Sequence, residues 1–345
     1  MVGIISYGVY IPKYRIKSED IARFNGKDPN SITKGLLIDE KSVPHFDEDS
    51  LTMGVEASLN ALKRVNIDKK QIGAVYCGSE SFVYAVKPNA SMLGEALNIS
   101  NNYTAADVEF ACKAGTAALQ MCFGLVKSKF IDYGLAVGSD TAQASPGDIL
   151  EYSASAGAAA FIVGNKKEEI IAELQEMCSF SSDTPDFWRR NMQKYPKHAE
   201  HFTGTPAYFK HITECTKLLM KKANISTEDI DHVAFHTPNG KFPLKAAKIL
   251  GFSKEKIEKN LIVSKIGNTY SAASLLVLAN ILDNARPGEK ILVTSFGSGA
   301  GSDSFLFKVT ENIKKLNDVK TIQSYIDNKK YVDYATCCKW NGAIR

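Results

Sequence analysis

The sequence predicts an α/β protein built from two copies of one α/β unit, residues 1–165 and 166–345. Three observations carry this. Strand-like apolar runs alternate with helix-period stretches along the whole chain, the pattern of an α/β fold. The second half repeats the first in order and type: AVYCGSE is answered by VAFHTPN, YGLAVGSD by KILVTSFG, and AAAFIVG by SFLFKV. In both halves the first of these strands is followed, about 35 residues on, by a helix with a small-residue start, one after Cys112 and one after Asn268. Two copies are too few for a solenoid.

The first unit opens with a strand, Gly3 to Ile11, stopped by Pro12. Ser18 reads as the N-cap of a short helix containing Asp20 and Ile21. NGKDPN, residues 25–30, reads as a turn-rich loop, and the polar run EKSVPHFDEDS, residues 40–50, as surface. Residues 51–64 form an amphipathic helix, with Leu51, Val55, Leu59 and Leu62 on one face. IGAVYC, residues 72–77, is a buried strand that leaves Glu80 at its carboxyl end. Asp107 to Cys112 reads as an apolar run ending at the thiol. Leu119, Cys122, Phe123 and Val126 then follow at helical spacing. Strands at 133–140 and 158–164 complete the unit, with a small-residue turn at 153–157 between them. The second unit repeats this with a helix at 207–222 and a strand at 232–235. An apolar run at 260–265, a helix at 273–282 and strands at 290–295 and 304–308 follow.

Composition narrows the function. The formal net charge of +4 is small for this length and gives no case for nucleic acid. No apolar run approaches the roughly 18 residues of a membrane span, and the first residues lack the pattern of a signal peptide. The seven cysteines are scattered without a CxxC pair. That disfavours a zinc ribbon or dithiol redox site, implies no metal, and fits a reducing cytoplasm.

In an open α/β sheet, ligands bind at the carboxyl ends of strands. Glu80, Cys112, His236, Asn268 and the loop FGSGAGSD, residues 296–303, all fall at such ends, and duplication brings the two sets together. A thiol at a helix N-terminus is favoured as thiolate; a buried filler cysteine fits the same local pattern. His236 is either a cap of its strand or a partner that handles protons for the thiol. Asn268 is a good N-cap or a neutral donor to a carbonyl. Glu80 is a turn residue or, beside a thiol in an apolar site, a base with a raised pKa. The glycine loop suits a tight bend, a phosphate site, or a backbone N–H near Ser298 that completes an oxyanion hole with Cys112. Lys241, Lys245 and Lys248 share a helix face, either simply solvated or set to meet phosphates.

GSESFVYAVKP around Glu80, EFACKAGTAAL around Cys112, HTPNGKFPLK around His236 and IGNTYSAAS around Asn268 occur in that order. Across nearly the whole chain the sequence thereby resembles the thiolase superfamily, and within it the 3-hydroxy-3-methylglutaryl-CoA (HMG-CoA) synthases. KYPKHAEHFTGTPAYFK, residues 194–210, and the ending KKYVDYATCCKWNG resemble the short archaeal form. The resemblance implies a thiolase-like fold whose duplicated halves form a layered αβαβα sandwich. It implies condensation of acetyl-CoA with acetoacetyl-CoA in the mevalonate pathway.

In that scheme Cys112 takes the acetyl group as a thioester and Glu80 removes a proton from its methyl. The enolate attacks the ketone of acetoacetyl-CoA, whose oxygen meets His236, and water frees the product. The resemblance further implies substrate contacts from Asp28, Pro29, Ser153, Thr203, Asn268 and Ser298, and CoA contacts from Lys241 and Lys245. His201 stands where the archaeal pattern carries arginine, and a neutral imidazole there weakens a phosphate contact. No cofactor is implied, because the CoA thioesters are substrates. The implied partners are a second copy of the chain or more, an acetoacetyl-CoA thiolase, and a small zinc-ribbon/OB-fold bridging protein. A ketoacyl-carrier-protein synthase would share the Cys–His–Asn set, but Glu80 points away from it.

Overall fold

A computed structural model describes residues 1–344. Nine strands form one sheet: β1 (Gly3–Tyr10), β2 (Ile72–Gly78), β3 (Thr104–Val108), β4 (Tyr133–Thr141), β5 (Ala156–Gly164), β6 (Ala172–Ser181), β7 (His232–Phe235), β8 (Lys290–Thr294) and β9 (Gly301–Val309). Their spatial order is β7-β8-β9-β6-β1-β5-β4-β2-β3.

The duplication is visible in the pairing. In the first half β1 runs antiparallel to β5, β5 antiparallel to β4, and β4 parallel to β2. In the second, β6 runs antiparallel to β9, β9 antiparallel to β8, and β8 parallel to β7. The halves join at a narrow seam, where β1 meets β6 over Gly3–Glu173 and Ile4–Ala172.

Five helices complete the layers: α1 (Ser50–Lys63), α2 (Ala114–Lys127), α3 (Phe209–Ala223), α4 (Lys241–Leu250) and α5 (Ala273–Leu282). α1 covers β1, β4 and β5, and α3 covers β6, β8 and β9. Between the half-sheets, α2 packs on β2 and β4. α5 packs on β7 and β8 but also on β1, β5 and α2. A helix reading ASLLVLANIL is apolar around its circumference and can only be stable buried on all sides. Five layers result.

Several local expectations change. Ser18 is the first residue of its helix, Lys17 takes the cap position, and the Ser18 hydroxyl is buried without a partner. The loop at 25–30 ends at Asp28, which caps a helix spanning Pro29–Leu36. The polar run at 40–50 is not all surface, because Glu40–Val43 is a buried strand in a small three-stranded sheet. Its charges are satisfied internally: Lys41 donates to the Glu151 carbonyl and Glu40 accepts from Lys329 and Tyr331.

In α1 the deepest face is the small one, with Gly54, Ala57, Ser58 and Ala61, and the leucine stripe is only half-buried. The helix lies so close to β1 that a Cβ on Gly8 would stand 2.2 Å from the Ala57 carbonyl oxygen. Size, rather than hydrophobicity, selects that face. The apolar run at 260–265 forms a short helix, Val263–Ile266, so the second half has no counterpart of β3. β6, Ala172–Ser181, is a strand that the sequence pattern does not mark.

Candidate active site

Cys112 does not end a strand. β3 stops at Val108, and Cys112 sits in a turn, Ala111–Lys113, that leads into α2. The turn starts from Ala111 at φ 45°, a left-handed conformation that costs a non-glycine residue about 1–2 kcal/mol. The second half repeats the device: Tyr270 has φ 51°, Tyr270–Ala272 is a turn, and α5 follows. The structural counterpart of Cys112 is therefore Ser271, and Asn268 lies three residues earlier. The two turns approach closely, because Gly115 has no side chain; a Cβ there would stand 2.4 Å from the Ser271 carbonyl oxygen.

Glu80 and Cys112 meet as the sequence suggested. The Cys112 Sγ donates to Glu80 Oε1 at 3.6 Å. Cys112 is buried beside Ala154 and Tyr270. Burial, then the Glu80 and Asp140 charges, hold its thiol well above the ordinary range, while a hydrogen bond with Asn268 works the other way. The expectation of a resting thiolate is thus reversed, since desolvation and two nearby carboxylates outweigh a helix end. Burial and Asp140 likewise push Glu80 well above the usual carboxylate range.

Asp140, at the end of β4, is not among the site residues that the sequence suggests. It proves to be the hub of the site. Its Oδ1 accepts from Ser79 Oγ, Glu80 N and Ser81 Oγ at 2.8, 2.8 and 2.7 Å. Its Oδ2 accepts from Ser271 N at 2.9 Å. One carboxylate thereby holds the Glu80 turn of the first half and the Cys112-like turn of the second. An acid in the last residues of an otherwise apolar strand is the available signal.

His236 follows β7, with its N–H on the Thr294 carbonyl at 3.0 Å and its own carbonyl accepting from Tyr208 at 2.7 Å. Its Nδ1 is buried without a partner, and burial pushes its pKa down to about 3, so it is neutral. Asn268 is buried; its Oδ1 accepts from Tyr270 N and its N–H donates to Ser153 O. Its side chain thus caps the turn that Tyr270 begins.

An open cavity of about 810 Å³ contains Asn268, Ser153, Thr203, Lys241, Lys245 and His201 together in its wall. Lys241 and Lys245 project from α4, and Lys245 Nζ lies 4.5 Å from the Phe209 ring centre. His198, in the same wall, pairs with Asp148 at 3.2 Å, a contact the sequence did not suggest. Asp28 and Pro29 are not brought to this wall. The Asp28 carboxylate caps its own helix, and Gly35 and Leu36 at the other end reach the cavity. Ser298 lines a different cavity, of about 270 Å³, with Glu80 and Arg189. Among the described residues no group of three or more His, Cys, Asp or Glu could hold a metal ion. Among the described residues no helix is long and apolar enough to cross a membrane.

The family model described as hydroxymethylglutaryl-coenzyme A synthase N terminal matches residues 1–168. That of 3-oxoacyl-[acyl-carrier-protein] synthase III C terminal matches residues 220–309. The chain is 55% identical, over 346 residues and all of both chains, to a hydroxymethylglutaryl-CoA synthase of Methanocaldococcus jannaschii. It is 54% identical over 345 residues, again over all of both chains, to one of Archaeoglobus fulgidus. It is similar to a crystal structure of HMG-CoA synthase complexed with CoA, with a TM-score of 0.88 and 25% identity. That match covers 98% of this chain and 89% of the other. A structure of MvaS with 3-hydroxy-3-methylglutaryl coenzyme A matches with a TM-score of 0.87 at 22% identity, over 98% and 91%.

Proposed function

The chain belongs to the hydroxymethylglutaryl-CoA synthase family, and on that premise we propose how its residues divide the reaction. The enzyme condenses acetyl-CoA with acetoacetyl-CoA and water to give HMG-CoA and CoA, a step of the mevalonate pathway. Cys112 is the nucleophile, Glu80 the base and His236 the donor to the ketone oxygen. The observation that carries this is the 3.6 Å contact between Cys112 Sγ and Glu80 Oε1.

Both groups are at rest in buried surroundings that disfavour charge. The thiol proton passes to Glu80 or His236 as Sγ attacks acetyl-CoA, and the departing CoA thiolate takes a proton in turn. Glu80 then removes a proton from the acetyl methyl. A neutral imidazole on the facing strand end polarises the ketone that the enolate attacks. Ser153, Thr203, Asn268 and Ser298 contact the acyl groups. Lys241 and Lys245 take the CoA phosphates, with His201 as a weaker neighbour. Asp28 and Pro29 act through the helix they start, whose far end reaches the CoA cavity.

The reading calls for no cofactor beyond the CoA thioesters. A cytoplasmic setting suits seven free cysteines, all buried. A homodimer or larger assembly, joined by acetoacetyl-CoA thiolase and a zinc-ribbon/OB-fold bridging protein, suits a substrate made in an uphill step. Native purification at modest salt tests that: recovery with neither partner refutes the complex. The catalytic assignment is tested by intact-protein mass after acetyl-CoA. One acetyl group is expected on the wild type and none on Cys112→Ala; an adduct persisting in the variant moves the nucleophile elsewhere.

A further inference from the structure

Two cavities are lined by neighbours of Cys112, one by Glu80, Ala111 and Tyr270 and the other by Asn268, and they share no wall residue. Asn268, which acts to lower the pKa of the thiol, lines the large lysine-bearing cavity. Glu80, which accepts from the thiol, lines the smaller one. The condensation proposed above, on which this inference rests, gives the second cavity a task.

After the carbon–carbon bond forms, the product is still attached to Cys112 through the former acetyl carbonyl. Its other end carries CoA, which fills the lysine-bearing cavity. The water that must cleave the thioester therefore needs another way in. The smaller cavity is open and polar, with Ser81, Gln143 and Asn191 in its wall. Two guanidinium groups, Arg189 and Arg190, stand at the same wall. Arg189 Nη2 donates to the Glu80 carbonyl at 3.4 Å, and its Nη1 to the Gln193 carbonyl at 3.3 Å. Both arginines are exposed, and neither has a carboxylate ion-pair partner among the described residues.

Hydrolysis creates a new carboxylate at the thioester carbon, beside Glu80. Like charges at that distance repel. A guanidinium with no ion-pair partner offsets the charge and matches a carboxylate in two-point geometry. We infer that the Glu80-side cavity is the water inlet and carboxylate exit of the hydrolytic step, and that Arg189 binds the product carboxylate as it forms. In that step the water oxygen bonds to the acyl carbon while Glu80 takes one water proton. The C–S bond breaks, Cys112 Sγ recovers the proton from Glu80, and the product acid releases its remaining proton to solvent.

The test is rapid-quench intact-protein mass on acetyl-enzyme mixed with acetoacetyl-CoA. It compares the wild type with Arg189→Met, Arg189→Lys and Asn191→Trp, the last narrowing the inlet. All four should acetylate at the same rate, because acetyl-CoA arrives through the other cavity. Arg189→Met and Asn191→Trp should accumulate Cys112-linked HMG-CoA, with hydrolysis slowed about 10- to 100-fold. Arg189→Lys should recover part of the loss. Unchanged hydrolysis in both the Met and Trp variants overturns the inference, and so does accumulation of acetyl-enzyme in place of the product adduct. A wild type that neither acetylates nor forms HMG-CoA overturns the reaction assignment itself, and that failure is seen without any variant.

Discussion

Lys113 Nζ lies 2.9 Å from Asp303 Oδ2, with 7% and 1% of the two side chains exposed. The pair ties the turn that carries Cys112 to β9 of the second half. Thr116 and Ser179 donate to the same carboxylate at 3.0 and 2.8 Å. Removing one partner strands the other charge in the interior. Asp303→Asn or Lys113→Met should each cost about 3–5 kcal/mol of stability, measured by denaturant unfolding. The double variant Lys113→Met/Asp303→Leu should recover much of that loss, because no charge is then stranded. Single variants as stable as the wild type would mean that the pair is solvated in solution.

Glu80→Gln keeps the shape of the side chain and removes the base. It should accept acetyl from acetyl-CoA, accumulate the acetyl-enzyme, and lose HMG-CoA formation by about 10²–10⁴-fold. Glu80→Ala should behave alike. Near-normal condensation by either variant would reduce Glu80 to a turn residue.

The same variant reports on the thiol. The Glu80 charge, after burial, raises the Cys112 pKa. Removing that charge favours the thiolate, so the pH profile of iodoacetamide alkylation at Cys112 should move to lower pH in Glu80→Gln. A shift to higher pH would show that the carboxyl supports the thiolate instead.

His236 should make the fold acid-sensitive. Its pKa is about 3 when folded and about 6.5 in an unfolded chain. Between those values the unfolded state binds a proton that the folded state does not. Stability contributed by neutral His236 is therefore present above pH 6.5 and is lost as pH falls toward 3, by up to about 1.4 kcal/mol per pH unit. His236→Gln lacks this component, so its loss of stability between pH 6.5 and 4 should be shallower. Parallel curves for the two proteins would place the imidazole in contact with solvent.

Lys241, Lys245 and His201 face one cavity and are all exposed. Lys241→Ala and Lys245→Ala should each raise the KM for acetyl-CoA about 2- to 5-fold with little change in kcat, the scale of a solvated charge contact. His201→Arg should lower it. The measurement is steady-state kinetics at two salt concentrations, with the effect shrinking at the higher one.

Much of the site was legible because its residues stand at strand ends. Glu80 and His236 follow apolar strands directly, and the strand period marks those ends without any knowledge of tertiary contacts. Asp140 stands in the same kind of place but was passed over, because its partners, Glu80 and Ser271, are distant in sequence and only folding brings them to one carboxylate. Arg189 lies in a segment with no regular period, so its approach to Glu80 had no signal in the chain.

The sequence alone determined the two-unit α/β architecture, most of its strands, and the places of Glu80 and His236 just past strand ends. Periodicity, strand ends and internal repetition are local properties that a linear chain displays. Tertiary structure alone decided three further things. It buried Glu40–Val43 despite its charges, because Lys329 and the Glu151 carbonyl supply partners from elsewhere in the chain. It matched Cys112 with Ser271, because backbone conformation, not residue type, aligns the two turns. It set the protonation of the site, raising Cys112 and Glu80 and lowering His236, because desolvation depends on everything packed around a group and only folding assembles that environment.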